Sequence, residues 1–183
     1  MKIKIDVFSL SSWANARKQV YSYRQKLPWR CERLCERLAN IGKTTATVTF
    51  SNAVYDVFRE EDGSETYGSA KISVDAHQVN MERDGGGSSS WVITANGEEV
   101  AFVEFGAGVY YNSGGSAHES RPDGIVGIGQ YGKGYGKKKL WGFTDETGRH
   151  RLTRGTPEQP GMLLASRDMR QQLIQVASEV FND

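Results

Sequence analysis

The uneven distribution of glycine is the feature that most constrains how this chain can fold. Fourteen of its 21 glycines lie between Gly106 and Gly161. Glycine loses more conformational freedom on ordering than any other residue, so a segment this rich in glycine is unsuited to packed secondary structure throughout. The sequence therefore predicts a long functional loop or arm in this section, with the helices and strands mainly outside it.

The first regular pattern follows Ser11 and Ser12, either of which can cap a helix. Apolar residues at spacings of three and four, typical of an amphipathic helix, are Trp13, Ala16, Val20, Tyr23 and Leu27. Pro28 then ends this helix or begins another, because proline lacks the amide hydrogen but suits a first turn. The stripe resumes at Cys31, Leu34, Cys35, Leu38 and Ile41 and stops at Gly42. The sequence predicts two helices, or one kinked helix, over about residues 12 to 41.

Strand patterns follow in the middle of the chain. Residues 43–69 fit either a strand or a short helix. The apolar alternation that starts at Ile72 changes phase near His77 and Gln78, which predicts a strand with a bulge or a break. A Gly/Ser-rich connection at 84–90 joins it to a second alternating strand.

The rest of the chain completes an α+β pattern. Residues 100–105 fit a strand or a helical turn, and an apolar face with helical spacing predicts a last helix at about 162–181. The predicted fold is α+β: an N-terminal helix pair and a C-terminal helix packed on a small, mainly antiparallel sheet. We predict a single domain over residues 1–183, with an insertion or arm at about 109–150.

Composition narrows the class of partner and the compartment. The chain has 23 Lys and Arg against 22 Asp and Glu, whereas a dedicated nucleic-acid binder is usually much more basic. The N-terminal residues lack the long apolar stretch of a signal peptide, and the most apolar window, Val100–Val109, is far too short to span a membrane. We expect a protein that is cytoplasmic when made, with both thiols reduced.

Three glycine motifs imitate nucleotide sites. Residues 127–132 match a dinucleotide fingerprint, and residues 127–133 match most of a phosphate-binding loop. Neither motif has the preceding strand and following helix that such a site needs. Gly42-Lys43-Thr44 lacks the leading glycine of the phosphate loop. We interpret all three as loop or helix-cap sequences, and we predict no cofactor.

Other reactive side chains are scattered. Cys31 and Cys35 are too few for a structural zinc site and are predicted to be buried in the core. A hydrolase site could be drawn from Ser116, His118 and Ser120 with a remote acid, but no nucleophile elbow accompanies them. A hydrolase that uses His118 or His150 is therefore kept only as an alternative, and no catalytic or metal-binding residue is predicted.

Glu104 is the most informative acid, because it lies among residues that favour burial. A buried carboxylate is costly unless it is paired or hydrogen-bonded. We predict that it accepts bonds from backbone amides or pairs with an arginine such as Arg154. The alternative is an edge strand from which Glu104 points outward.

The arm combines lysines with aromatic residues and supports two interpretations. It could follow a nucleic-acid backbone, or it could be a solvated segment that orders on a neighbouring subunit. We favour the second, because the whole chain is charge-balanced. The predicted interface residues are Tyr110, Tyr111, Tyr131, Lys133, Tyr135, Lys137, Lys138, Lys139, Trp141 and Phe143.

Two stretches carry a resemblance to a known family. With the N-terminal helices, residues 95–109 (ANGEEVAFVEFGAGV) and 152–162 (LTRGTPEQPGM) resemble the neck or tail-component family of long-tailed bacteriophages and prophages. The order of features matches over most of the chain, except in the arm. Motif residues within these stretches are Glu104, Phe105, Gly106, Arg154, Gly155, Pro157 and Pro160.

The resemblance implies a structural role in tail completion or head–tail joining. Such subunits form a ring, with sixfold symmetry expected, at the top of the tail. They assemble in the host cytoplasm, contact other phage connector and tail proteins, and remain in the virion. The resemblance implies helices on a small antiparallel sheet, no enzyme activity and no cofactor. Because the genome passes through such a ring, arm residues could touch DNA transiently.

Overall fold

The fold of the chain is α+β. The computed structural model describes residues 4–59, 63–81, 88–107, 140–144 and 147–182, without the side chains of residues 80, 81, 88, 89 and 141. Its helices are α1 (Leu10–Ser51), α2 (Val100–Phe105) and α3 (Gly161–Asn182). Its strands are β1 (Val54–Arg59), β2 (Glu65–Ser69), β3 (Ser73–Met81), β4 (Ser88–Asn96), β5 (Trp141–Thr144) and β6 (His150–Thr153).

Helix α1 is one continuous helix from Leu10 to Ser51, so the predicted N-terminal helix pair is wrong. It begins after Ser9, whose hydroxyl accepts a 3.2 Å hydrogen bond from the Ser12 amide. Pro28 lies inside the helix on an exposed face, where water can bond the carbonyl that loses its amide partner. The predicted stop at Gly42 is wrong, because the apolar stripe continues through the buried residues Ala46 and Phe50.

The strands form two antiparallel sheets. One has the order β2-β1-β6-β5, and the other is the β3–β4 ribbon. The bulge predicted near His77 and Gln78 is wrong, because β3 and β4 pair without a break from Ser73 opposite Asn96 to Met81 opposite Ser88. The apolar alternation along β3 changes because its partly buried side chains lie on one face of the ribbon before His77 and on the other face after Gln78. Such a change needs no extra residue in the strand pairing.

The irregular position in the sheets lies in β1 instead. Its register with β2 shifts between Tyr55 and Val57, and Asp56 between them has a φ of 45°. A non-glycine residue with positive φ is uncommon, and Asp is among the residues that tolerate it best.

The glycine-rich section contains regular structure at its end. Strands β5 and β6 pair from Trp141 opposite Thr153 to Thr144 opposite His150, and β6 also pairs with β1. The prediction of a loop throughout is therefore wrong for these residues. The main part of the predicted arm, residues 108–139, lies outside the described residues.

The core lies between the second half of α1, α2 and the first half of α3. Its centre is formed by Ala46, Phe50, Val103 and Ala165, and the β3–β4 ribbon covers it with partly buried side chains. The predicted C-terminal helix is confirmed as α3. No helix in the described part of the chain is long and apolar enough to cross a membrane.

Candidate assembly interface

Helices α1 and α3 run antiparallel, and α1 is much the longer. Phe50 meets Gly161 at one end of the contact, and at the other end the Arg30 guanidinium donates a 3.1 Å bond to the Phe181 carbonyl. Residues 10–29 of α1 therefore extend past the end of α3. At 1.5 Å per residue this segment, which we call the free half of α1, is about 30 Å long.

The free half of α1 exposes large apolar and aromatic side chains. Leu10 is 89% exposed, Tyr21 is 64% exposed and Trp29 is 55% exposed, whereas Phe50 in the packed half is 3% exposed. A single exposed apolar residue needs no explanation, but a helical segment with several of them marks a candidate contact surface. Of the predicted stripe, Trp13 and Val20 are exposed, Ala16 is buried, and Tyr23 and Leu27 are half-buried, whereas Leu10, Tyr21 and Trp29 lie on other sides of the helix.

The residues before α1 hold the start of the free half. The Trp13 indole nitrogen donates a 3.2 Å bond to the Val7 carbonyl, and the Asp6 amide donates a 2.8 Å bond to the Ser12 hydroxyl. Phe8, beside these contacts, is 99% exposed. The tip of the helix is thus capped and still presents an aromatic ring.

Charge distinguishes the free half from the rest of the chain. Between Leu10 and Cys31 lie five of the 23 basic residues and none of the 22 acidic ones, which leaves 18 basic against 22 acidic residues elsewhere. Arg17, Lys18, Arg24 and Lys26 lie in the free half, and Arg30 lies at its border with the packed region. This local excess of positive charge can be read from the sequence, but the total charge of the chain, which is close to zero, does not reveal it.

The opposite end of α1 is acidic. Tyr55 is half-buried there, and this burial is the main reason that its pKa is raised. The negative charges of Asp56, Glu99 and Glu98 raise the pKa of Tyr55 further. Burial also raises the pKa of Asp56. Within the described part of the chain, no cation forms a salt bridge with Asp56, Glu98 or Glu99.

The predicted interface residues of the arm remain predictions. Those from Tyr110 to Lys139 lie outside the described residues, as does the side chain of Trp141. Phe143 is 37% exposed and packs against Phe58 of its own chain, with ring centroids 5.9 Å apart. Phe143 therefore contributes to the sheet and keeps only part of its ring available to a neighbour.

The two stretches that carry the family resemblance pack against each other. Glu104 is 4% exposed, and its carboxylate accepts bonds of 2.9 Å and 3.0 Å from the Met162 and Leu163 amides. It thus caps the N-terminus of α3 from a different helix. The prediction of backbone-amide partners is confirmed for Glu104, and the alternative of an outward-pointing edge residue is wrong.

The remaining motif residues fix the path around this cap. The salt bridge that Arg154 forms in the described part of the chain is with Glu65. After α2 the chain turns at Gly106, whose φ of 71° favours glycine, and Ala107 pairs with Thr156 as an isolated bridge. Phe105 ends α2, Gly155 has a φ of 92°, and Pro157 and Pro160 border the segment that enters α3.

The side chains considered for chemistry do not form a site in the described structure. Cys31 is exposed and Cys35 is half-buried, so the prediction that both are core residues is wrong. Burial and the neighbouring Cys31 raise the pKa of Cys35, which disfavours a reactive thiolate. His150 is exposed beside the Thr144 hydroxyl, and Ser116, His118 and Ser120 lie outside the described residues. Among the described residues, no group of His, Cys, Asp and Glu could hold a metal ion.

Comparison of the chain with protein-family models, curated proteins and solved structures found no match. The function is therefore argued from the surfaces of this molecule and from the resemblance of its two motif stretches.

Proposed function

We propose that this chain is a structural subunit of the bacteriophage neck, which completes the tail by assembling into a ring at the head–tail junction. The observation that carries the proposal is the free half of α1, a helix of about 30 Å that leaves its own fold with aromatic and apolar side chains exposed. Such a surface is stabilised when another molecule covers it.

The packing of the motif stretches supports the same proposal. Glu104 joins α2 to the start of α3, and α3 in turn packs along α1. This arrangement gives a rigid body from which the free half can extend toward a neighbour. A ring needs heterologous contacts, in which two different surfaces of each subunit meet, and a protruding helix provides one of the two.

Mass in solution tests the proposal. We expect the purified chain to form a ring, either alone or after addition of phage connector and tail proteins, as measured by native mass spectrometry and sedimentation. A chain that stays monomeric under both conditions would contradict the proposal.

Two matched variants locate the contact. Val20 in the free half is 53% exposed and Leu173 on α3 is 43% exposed. Val20→Asp is expected to weaken assembly, because it places a charge in the covered stripe, whereas Leu173→Asp is expected to leave assembly unchanged. Both variants should keep the helical circular-dichroism spectrum of the parent chain.

A small nucleic-acid-binding module is the second candidate function. The sequence supports it through the Lys/Tyr-rich arm, and the five cations around the free half of α1 add a described basic surface. Binding of duplex DNA by the monomer, with an affinity that falls steeply as salt rises, would favour this candidate, because phosphate contacts release counterions.

A further inference from the structure

The two ends of α1 have opposite charge. At one end the free half carries only basic charged residues, and at the other Asp56, Glu98 and Glu99 surround Tyr55. Residues 31–51 of the helix, about 32 Å at 1.5 Å per residue, separate the two surfaces, so these charges do not neutralise each other within one molecule. Each subunit therefore presents one basic and one acidic surface.

The free half is poorly suited to pairing with another free half. Arg17 and Arg24 lie seven residues apart on one border of the apolar stripe, and Lys26 and Arg30 lie on the other border. Two such helices side by side would bring like charges together along both borders, which opposes association. An acidic surface, by contrast, would pair with the cations on both borders.

The acidic end of the same chain has the required character. Glu98 is exposed, Glu99 and Asp56 are partly exposed, and the half-buried Tyr55, which packs against the core, lies near enough for these carboxylates to raise its pKa. Aromatic and arginine side chains are the groups that most often anchor protein interfaces. The free half offers both, through Trp13, Tyr21, Arg17 and Arg24.

We propose that subunits associate head to tail, with the basic free half of α1 docked on the acidic end around Tyr55 of a second copy of this chain. The contact is heterologous, because its two surfaces differ, and repetition of it generates a closed ring when the rotation between subunits allows closure. This inference rests on the proposed ring and names the two surfaces that form it.

Charge reversal at each surface tests the proposal. The first variant combines Arg17→Glu with Arg24→Glu, and the second combines Glu98→Lys with Glu99→Lys. Each variant alone places like charges together where the Arg17/Arg24 border meets the acidic end, and is expected to lose the ring, with at least a tenfold rise in the concentration needed for assembly. An equimolar mixture is expected to assemble again, because each helix then meets an end of opposite charge, and the mixed ring alternates the two variants.

Two single reversals serve as controls. Arg170→Glu on α3 and Glu36→Lys on α1 change exposed charges of the same types away from both surfaces. Neither should change the mass of the assembly. Thermal unfolding of every variant in its monomeric form checks that the fold is intact. We expect an unchanged midpoint, because the altered side chains lie mostly at the surface.

The outcomes separate this inference from the proposed function. A ring that forms in the parent chain and survives both reversals would overturn the inference and leave the proposed function standing, as would a mixture that fails to reassemble. A parent chain that never assembles would overturn both. Salt-dependent DNA binding that disappears in the first variant, with the ring unchanged, would assign the basic helix to nucleic acid and overturn the docking contact.

Discussion

The two halves of α1 form one helix but are built for different neighbours. The packed half places small residues such as Ala39, Gly42 and Ala46 against α3 and the β3–β4 ribbon, with Phe50 as its one large buried ring. The free half places tryptophan and tyrosine side chains in the open. Small residues allow close approach of elements that fold together, whereas large rings provide area to a partner that arrives later.

The largest expected difference between the halves is seen on removal of an aromatic ring. Phe50→Ala should lower the free energy of unfolding by about 3–5 kcal/mol, because Phe50 is 3% exposed and its ring lies against Gly161. Tyr21→Ala, at a residue that is 64% exposed, should change it by less than about 0.5 kcal/mol. Urea unfolding of the monomer measures both values, and similar losses would show that the free half is part of the fold.

Added volume should separate the halves almost as strongly. A β-carbon on Gly42 would lie 2.6 Å from the Ile93 Cδ1 atom and 2.8 Å from the Met169 sulfur. Gly42→Leu should therefore cost about 2–3 kcal/mol, since the ribbon and α3 must both shift. Ser22→Leu makes a similar addition at an exposed position of the free half and should leave the unfolding midpoint nearly unchanged. If Gly42→Leu unfolds at the parent midpoint, the close approach of the three elements is not needed for stability.

The hydrogen bonds from the start of α3 to Glu104 are expected to hold α3 against the packed half of α1. In Glu104→Gln, one amide oxygen replaces two carboxylate oxygens, so one of the Met162 and Leu163 amides loses its acceptor. We expect a loss of about 1–3 kcal/mol. The control is Glu98→Gln, an exposed acid nearby, which should have little effect. Hydrogen exchange provides a second reading, because the Met162 and Leu163 amides should lose protection before the rest of α3 does.

Local patterns predicted the parts of the fold that depend on local spacing. The last helix and the β3–β4 strands followed from periodicity, and the hydrogen bonding of Glu104 followed from the cost of a buried charge. Gly42 was misassigned because a glycine that ends a helix and a glycine that allows close packing look alike in sequence. Only the positions of Ile93 and Met169, 51 and 127 residues away along the chain, distinguish them.

The candidate interface was harder to predict for a related reason. An apolar stripe shows that one helix face avoids water, but it does not show which molecule covers that face. The stripe from Trp13 to Leu27 has the same pattern as a core-facing stripe, and only the length of α3 reveals that Arg30 is the border of the packed region. The absence of acids between Leu10 and Cys31 was the available signal, because helix faces within one fold usually mix both charges.

The smallest expected effect concerns the acidic end of α1. Burial raises the pKa of Asp56, so its charged form costs stability at neutral pH, and this cost is relieved as the pH falls through the pKa of the folded state. Asp56→Asn should therefore stabilise the monomer at neutral pH, by less than about 1 kcal/mol because the side chain is only half-buried, and the gain should vanish below the ordinary pKa of Asp. Asn also tolerates the positive φ at this position.

Asp75→Asn is the control of opposite sign. A hydrogen bond from Lys43 lowers the pKa of Asp75, so replacement of Asp75 should reduce stability at neutral pH and have no effect in acid. Unfolding of the parent and both variants from neutral to acidic pH measures these trends, and a gain for Asp56→Asn that persists in acid would show that its carboxyl group is not the source of the cost.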